Sequence, residues 1–533
     1  MKKQLFIIPF LMCLITSLYA QEIKEAIQPL SAKSQKGHLF NVVNEEDGTM
    51  NVLYRMKLDK KSEVMTYENY SFDSNLKFTG TKDVQTFKEQ KEDVQNVYYS
   101  AYVGGTTSFD VLSRKLKIYK ELRLETWNQT RQYYQKKKTI SKETVKPKND
   151  NGKVYLGYAS YDDHTNLFAL VKSESKDKAQ ADKFIILEYY LDEKMEYKEI
   201  PVDLTGSYTL VYSAMVNGTN DTPDVVLVFA PNKGASDISK YTYFRYDLKG
   251  NLKNKVEFKS PAPALLITAV NEKDGDIYFF GNSKKSKDPY SKVFSEYCPI
   301  YNPGSIEGAN IQDVYWRKSA EQSMDFFHLL KFSGDQLAFA STTAVSEIKT
   351  KFKTAPGDKG ASEYRGKKFM VECFMVTPTG DYLIGGQLTG SVIMGEHLVD
   401  VYTDIVCFHF DKSGNIKAQY GIGKVNNDKK SEIFPMMQDF YPSTDGNSVY
   451  LAILEVKADV DWYTGIPTPV YFPRITKIDL GTSTVGAIKS LGESKYFLRT
   501  SFLPVLNKSE NSVTYVGNDL KEKNLWLGKV VFK

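Results

Sequence analysis

Asp459 and Asp461 flank a single valine and adjoin Trp462. Two carboxylates beside an aromatic surface are what cleavage of a glycosidic bond uses. The rest of the chain offers little acid–base chemistry of that kind. Gly304-Ser-Ile-Glu-Gly308 approaches a nucleophile elbow, but its serine stands in the wrong place. The five histidines (His38, His164, His328, His397 and His409) are scattered, without His-Glu-x-x-His or paired-cysteine spacing. His409 lies mid-strand and reads as core, and Asp162-Asp163-His164 reads as a turn. No glycine-rich loop could cradle a phosphate. The expectation is a chain with no convergent catalytic set, no metal centre and no cofactor.

Aromatic residues in long connections are the better candidates for ligand binding. Tyr301, Tyr315 and Trp316 fall in the insertion Ser283–Ser323, and Trp462, Tyr463, Tyr471 and Phe472 fall in Asp459–Pro473. Such side chains supply rigid amphipathic area for a sugar or peptide, although they can also pack their own loop down onto the fold. Two further insertions are Gln387–Tyr402 and Thr342–Lys367. Long connections inside a compact domain tend to carry function.

These loops need a scaffold, and the scaffold repeats. Strands ending in aspartate stop at Asp73, Asp192, Asp247, Asp411 and Asp479. The intervals are close to whole multiples of a unit of about 58 residues. Filling the gaps requires further copies near residues 130, 300 and 355. One unit reads as four strands: Thr209–Val216, Asp224–Ala230, Tyr241–Asp247 and Leu252–Phe258. The turns Asp247–Asn251 and Asp411–Asn415 contain Gly and Asn, which accept positive φ. An all-strand unit of this length predicts an all-β fold: a single β-propeller of seven or eight four-stranded blades, eight preferred. The C-terminal segment supplies only three strands, so residues near Glu22–Ser34 are expected to pair with it and close the ring. In that arrangement the four insertions share one rim. Ser113–Lys138 fits both strand and helix periodicity, and long strands are the preferred reading.

The first twenty residues read as a secretory leader: Lys2 and Lys3, an apolar Leu5–Leu18, then Ala20 before Gln21. Residues 21–533 then form the propeller domain, and the protein is expected to be exported (periplasmic, outer-membrane-associated or secreted) with no transmembrane segment. After the leader only Cys298, Cys373 and Cys407 remain, too few for a disulfide framework. Cys373 and Cys407 fall on strands one and three of one sheet, nearly 10 Å apart at ~4.8 Å per strand, beyond bridging distance. Ser113–Lys148 carries twelve Lys/Arg against three Asp/Glu, while the whole chain is only +5. That run reads as a solvated face guarding strand edges rather than a nucleic-acid site.

The strand-and-turn segments quoted above resemble those of exported bacterial β-propeller proteins. The resemblance spans nearly the whole mature chain and is architectural. Ser-x-Asp-x-Gly-x-x-Trp boxes, regular Trp-Asp ends and double-glycine repeats are missing, so no catalytic residue carries over. Long aromatic insertions gathered on one side, without a convergent acid–base set, give the expectation of a monomeric, non-enzymatic binding or scaffold protein for a glycan, peptide or envelope protein. The alternative is a propeller-fold polysaccharide hydrolase or lyase.

Overall fold

The structure, a computed structural model, describes residues 22–45, 47–56, 65–86, 101–110, 115–124, 138–145, 153–160, 166–173, 183–190, 197–218, 223–232, 234–294, 323–358, 360–394, 397–426, 428–460, 467–492, 495–499 and 504–533. The leader, the Asp162–His164 turn and the expected copies near 130 and 300 lie outside these residues. The described chain is nearly all strand with a few helical turns. Among the described residues no helix is long and apolar enough to cross a membrane.

Strands follow one another as antiparallel meanders. The first sheet is β2 (His38–Asn44), β3 (Met50–Arg55), β4 (Met65–Phe72) and β5 (Phe78–Thr86). The second contains β6 (Ala101–Asp110), β7 (Lys115–Leu124) and β8 (Lys138–Val145), so Lys115–Leu124 is strand as expected. The third is β9 (Lys153–Ser160), β10 (Asn166–Ser173), β11 (Lys183–Tyr190) and β12 (Tyr197–Pro201). The fourth is β13 (Tyr208–Val216), β14 (Asp224–Pro231), β15 (Lys240–Asp247) and β16 (Leu252–Lys259). The fifth is β17 (Leu265–Lys273), β18 (Asp276–Ser283), β19 (Phe326–Ser333) and β20 (Gln336–Ala344). The sixth adds β21 (Phe352–Thr354), parallel to β25, to β22 (Phe369–Val376), β23 (Tyr382–Met394), β24 (His397–Phe410) and β25 (Ile416–Ile422). The last sheet has ten strands: β26 (Met437–Pro442), β27 (Ser448–Val460), β28 (Pro467–Asp479), β29 (Thr484–Val485), β30 (Lys489–Ser490), β31 (Tyr496–Arg499), β32 (Val505–Asn507), β33 (Ser512–Asp519), β34 (Asn524–Val531) and β1 (Glu22–Pro29). In it β1 pairs with β34 over eight residues, Glu22 opposite Val531 and Pro29 opposite Asn524.

Two compact units emerge from this chain. A terminal unit comprises Met1–Asn96, Asn128–Tyr133 and Val425–Lys533, and a central unit comprises Val97–Trp127 and Tyr134–Lys424. Within the central unit successive sheets pack face to face. First strands lie together (β13 against β17, β17 against β22), and the fourth strands β16 and β20 meet. Aromatic rings fill the space between: Phe184 on Phe229 at 4.8 Å, Tyr243 and Phe258 on Phe332 at 4.9 Å, and Phe327 on Phe408 at 5.0 Å. A sheet covered on both faces needs no polar alternation, which is why β14 is buried along its whole length. The terminal unit has its own core, in which Val52, Tyr70 and Phe72 pack with Val516, Leu525 and Leu527.

The aspartate that recurs along the sequence closes third strands at Asp73, Asp247, Asp411 and Asp479, and Asp519 ends β33 in the same way. Asp73, Asp247, Asp411 and Asp519 each accept, at Oδ1, the backbone N–H two and four residues on. The residue three after the aspartate takes a left-handed conformation: Leu76, Gly250, Gly414 and Glu522. Glycine at 250 and 414 does more than permit that φ. A Cβ on Gly250 would stand 2.2 Å from Ile200 Cδ1, and one on Gly414 would stand 2.2 Å from Ser341 Oγ, in the preceding sheet.

One part of the repeat count is corrected. Between Asp247 and Asp411 the described residues hold one further third strand, β19, ending at Ser333, rather than two. Position 355 follows the three-residue β21 and ends no meander. The long insertion after Ser283 had stretched the interval into an apparent extra unit.

Backbone irregularities also repeat, and nothing in the sequence announces them. The first strand carries one extra residue in five sheets: Phe40, Leu156, Val211, Thr268 and Glu372. Four fourth strands do the same at Thr79, Lys253, Ala338 and Lys417. Such bulges increase strand twist and re-aim a side chain.

Candidate functional site

The four insertions differ once folded. Two are extensions of the second and third strands rather than loops. β23 and β24 run on for 13 and 14 residues, and β27 and β28 for 13 each, where β14 and β15 have 8. The third, after β20, folds down as a helical turn (Val345–Lys349) and β21. There the Asp404 carboxylate accepts the Ser362 N–H and hydroxyl, and the Asp358 carboxylate accepts the Gly423 N–H at 2.6 Å. The fourth begins with a helical turn at Tyr290–Val293, and most of it lies outside the described residues.

Tyr301, Tyr315, Trp316, Trp462 and Tyr463 lie outside the described residues, as does Asp461. Tyr471 and Phe472 are described, and they correct the expectation of exposed loop aromatics. Both sit in β28, only 6% and 2% exposed. The edges of this hairpin are covered. Val470 and Tyr471 pair with Arg499 and Leu498 of β31, and Phe472 packs edge-on to Phe497 at 6.1 Å. Along β27, Ser431 Oγ accepts the Ala458 N–H at 2.8 Å and Asn426 Nδ2 donates to the Val456 carbonyl at 2.9 Å. Glu455, buried at the base, pairs with buried Arg474 and accepts the N–H groups of Val425 and Asn426.

The hairpin of β23 and β24 is supported differently. Among the described residues, Thr389 N–H donates to the Lys368 carbonyl beside it, and β24 leaves β25 at Ile405. Beyond a bulge in which Thr403 and Asp404 oppose Leu388, six residue pairs run from Thr389–Tyr402 to Met394–His397, with Val401 and Tyr402 buried at the base. Ile393, near the tip, is 78% exposed.

The titratable clusters belong to the frame. At the start of β14, buried Asp224 binds Arg245 Nε at 2.7 Å and Lys253 Nζ at 2.6 Å. Asp276 binds Lys331 at 2.7 Å, and Asp381 binds His409 Nε2 at 2.9 Å and Lys417 at 3.0 Å. In each case the carboxylate stands at the start of the second strand and the cation or imidazole sits on the third. Lys253 and Lys417 are the bulged residues of their fourth strands, so the bulge turns the ammonium toward the carboxylate. The signal was present in the sequence as Arg245-Tyr-Asp247 and His409-Phe-Asp411. His409 is fully buried and also meets the Tyr420 hydroxyl at 3.0 Å. Burial lowers its pKa, against the opposing hydrogen bond to Asp381.

One Ser–His contact has the spacing of a nucleophile and base. Ser283 Oγ lies 2.7 Å from His328 Nε2, and His328 Nδ1 lies 3.0 Å from Thr342 Oγ1. A hydroxyl stands where an orienting carboxylate would be needed, and Ser283 and His328 are each 1% exposed. Burial pushes His328 down to about 4, so the ring is neutral at physiological pH. The chain links three strands of one sheet. Cys373 and Cys407 both stand opposite Gly385, on either side of β23, and neither is in a disulfide.

No protein-family model matches the sequence, and no curated protein matches it. Solved structures similar to this chain include the GH93 α-L-arabinofuranosidase of Fusarium graminearum with arabinobiose (10% identity, 71% of this chain and 93% of that one, TM-score 0.25). Another is the β-propeller domain of the Trilobed protease of Pyrococcus furiosus, with an open velcro topology (8% identity, 93% and 95%, TM-score 0.25). A third is the polysaccharide lyase Uly1 (7% identity, 92% and 89%, TM-score 0.26). Likenesses at this level carry no argument about what the chain does.

Proposed function

We propose that the chain is an exported, monomeric, non-enzymatic binding or scaffold protein that engages its partner through the hairpin Thr389–Tyr402. The scaffold is a single propeller of eight four-stranded blades, closed by the pairing of β1 with β34. The ten-stranded sheet counts as two of these blades, whose strands pair at two residue pairs between β28 and β31. Its fourth strand in the first blade is split into β29 and β30, and its first strand in the second is split into β31 and β32.

The observation that carries the reading is the two-stranded extension of β23 and β24 past Thr389–Tyr402, which carries the 78% exposed Ile393. An isolated ribbon is marginal in water, and open edges attract a further strand. Among a glycan, a peptide and an envelope protein, this favours an extended polypeptide strand added by main-chain hydrogen bonds. Support also comes from the described buried charges, each engaged by the frame. The test is capture from a displayed library of extended peptides by the full chain, compared with Ile393→Lys and with Thr389–Tyr402 replaced by Asn-Gly. Capture lost in both variants is expected. Capture unchanged by the replacement removes the assignment, and polysaccharide turnover abolished by Asp461→Asn would establish the hydrolase or lyase alternative instead.

A further inference from the structure

The connection between β13 and β14, in the central unit, sets a reactive pair of residues under a fixed cation. Asn217 and Gly218 follow directly on the last residue pair of these strands, Val216 opposite Asp224. Asn217 is exposed, and among the described residues its side-chain amide has no hydrogen-bond partner. Gly218 has no Cβ to crowd the approach of its backbone nitrogen to the side chain before it. That nitrogen and the Asn217 carbonyl oxygen belong to one peptide group.

The oxygen is already engaged. Arg245 Nη2 donates to it at 2.9 Å. The guanidinium is held in place, because its Nε donates to buried Asp224 at 2.7 Å and only 11% of the side chain is exposed. Loss of the Gly218 N–H proton would put negative charge on this peptide group, chiefly on the carbonyl oxygen. A cation fixed there beforehand stabilises that charge without reorganising. The nitrogen so activated and the carbon it would attack lie on adjacent residues, so the encounter is intramolecular.

We infer that Asn217 is a deamidation site, reacting through a succinimide whose formation Arg245 promotes. Hydroxide takes the Gly218 N–H proton, and the nitrogen bonds to Asn217 Cγ. The Cγ–Nδ2 bond breaks, and the amide nitrogen takes a proton from water and leaves as ammonia. Water then opens the ring. Attack at Cγ gives aspartate, and attack at the main-chain carbonyl carbon gives isoaspartate, with the main chain longer by a methylene. Both products add a carboxylate beside Arg245, and the second also displaces the carbonyl that Arg245 holds. The site is independent of the Thr389–Tyr402 arm and goes beyond the reading proposed for it.

The experiment incubates the full chain in mildly alkaline buffer, folded and unfolded in urea, at one temperature. Peptide mapping by mass spectrometry counts aspartate and isoaspartate at position 217. An ordered backbone ordinarily resists ring closure, yet here the folded chain should react faster than the unfolded one, by about tenfold. Arg245→Lys should remove that excess, because an ammonium lacks the planar fork that serves Asp224 and Asn217 together. Lys253 still pairs with Asp224 in this variant, and circular dichroism checks its fold. Gly218→Ala should slow the reaction in both states. The inference is overturned if the folded chain reacts no faster than the unfolded one, a comparison that needs no variant. It is equally overturned if folded Arg245→Lys keeps the parent rate. A rate unchanged by Gly218→Ala would overturn it too, since the amide would then be hydrolysed directly. Failure here with arm-dependent peptide capture intact removes this site and leaves the arm reading standing.

Discussion

The two long hairpins start from the same place in their sheets and are of nearly equal length, but the rest of the chain treats them differently. The β27–β28 hairpin is clamped: side chains of the segment before β26 bond one edge, β31 pairs with the other, and a buried Glu455–Arg474 pair sits at its base. The β23–β24 hairpin is tied at Thr389 and Asp404, buried at Val401 and Tyr402, and exposed at Ile393. An insertion therefore becomes frame or becomes free surface according to whether neighbouring segments satisfy its edges. Strand length alone does not decide it.

The sharpest way to break the comparison is at the clamp. Removing one partner of a buried ion pair leaves an unpaired charge and costs about 3–5 kcal/mol. Glu455→Ala should therefore lower the urea midpoint severely, and Glu455→Leu combined with Arg474→Met should recover most of the loss. A cost below about 1 kcal/mol would show that the clamp holds nothing.

The sheet next in sequence before the free hairpin gives a pH test. His328 is held near 4 in the fold and near 6.5 when unfolded. Between those values the unfolded chain binds the proton and the folded chain does not, so stability falls as pH drops from 6.5 to 4. The loss from this residue is roughly 3 kcal/mol at most. Chemical denaturation across that window should show it, and His328→Gln should flatten the slope.

Smaller effects follow at the edges. Ser431→Ala removes an acceptor from the Ala458 N–H and should cost about 1–2 kcal/mol. Ile393→Lys, at an exposed position, should stay within about 0.5 kcal/mol of the parent while eliminating peptide capture.

Much of this architecture was legible before any coordinates. The fourth sheet could be read strand by strand because its apolar runs are bounded by Asn-Gly-type and Asp-Leu-Lys-Gly turns. The pairing of Glu22–Pro29 with the last strand followed from a missing partner. Other features were not legible, for identifiable reasons. Phe40, Leu156, Val211, Thr268 and Glu372 occupy one bulge position yet share no chemistry, so no residue pattern marks it. Gln387–Tyr402 and Asp459–Pro473 read as loops because only pairing register separates extended strands from an insertion. The burial of Tyr471 and Phe472 is not legible in their own segment because their cover comes from β31, more than twenty residues on. The carboxylate–cation sets at Asp224, Asp276 and Asp381 were spelled out in the sequence, but their partners lie on other strands and depend on bulges.

Amide hydrogen exchange on the full chain, without ligand, compares the two hairpins directly. Backbone amides of residues 390–394 and 397–401 should exchange orders of magnitude faster than those of residues 455–459, 468 and 470–472. Equal protection of the two stretches would mean that the first hairpin is as firmly built in as the second, and the proposal that it is kept free for a partner would fail.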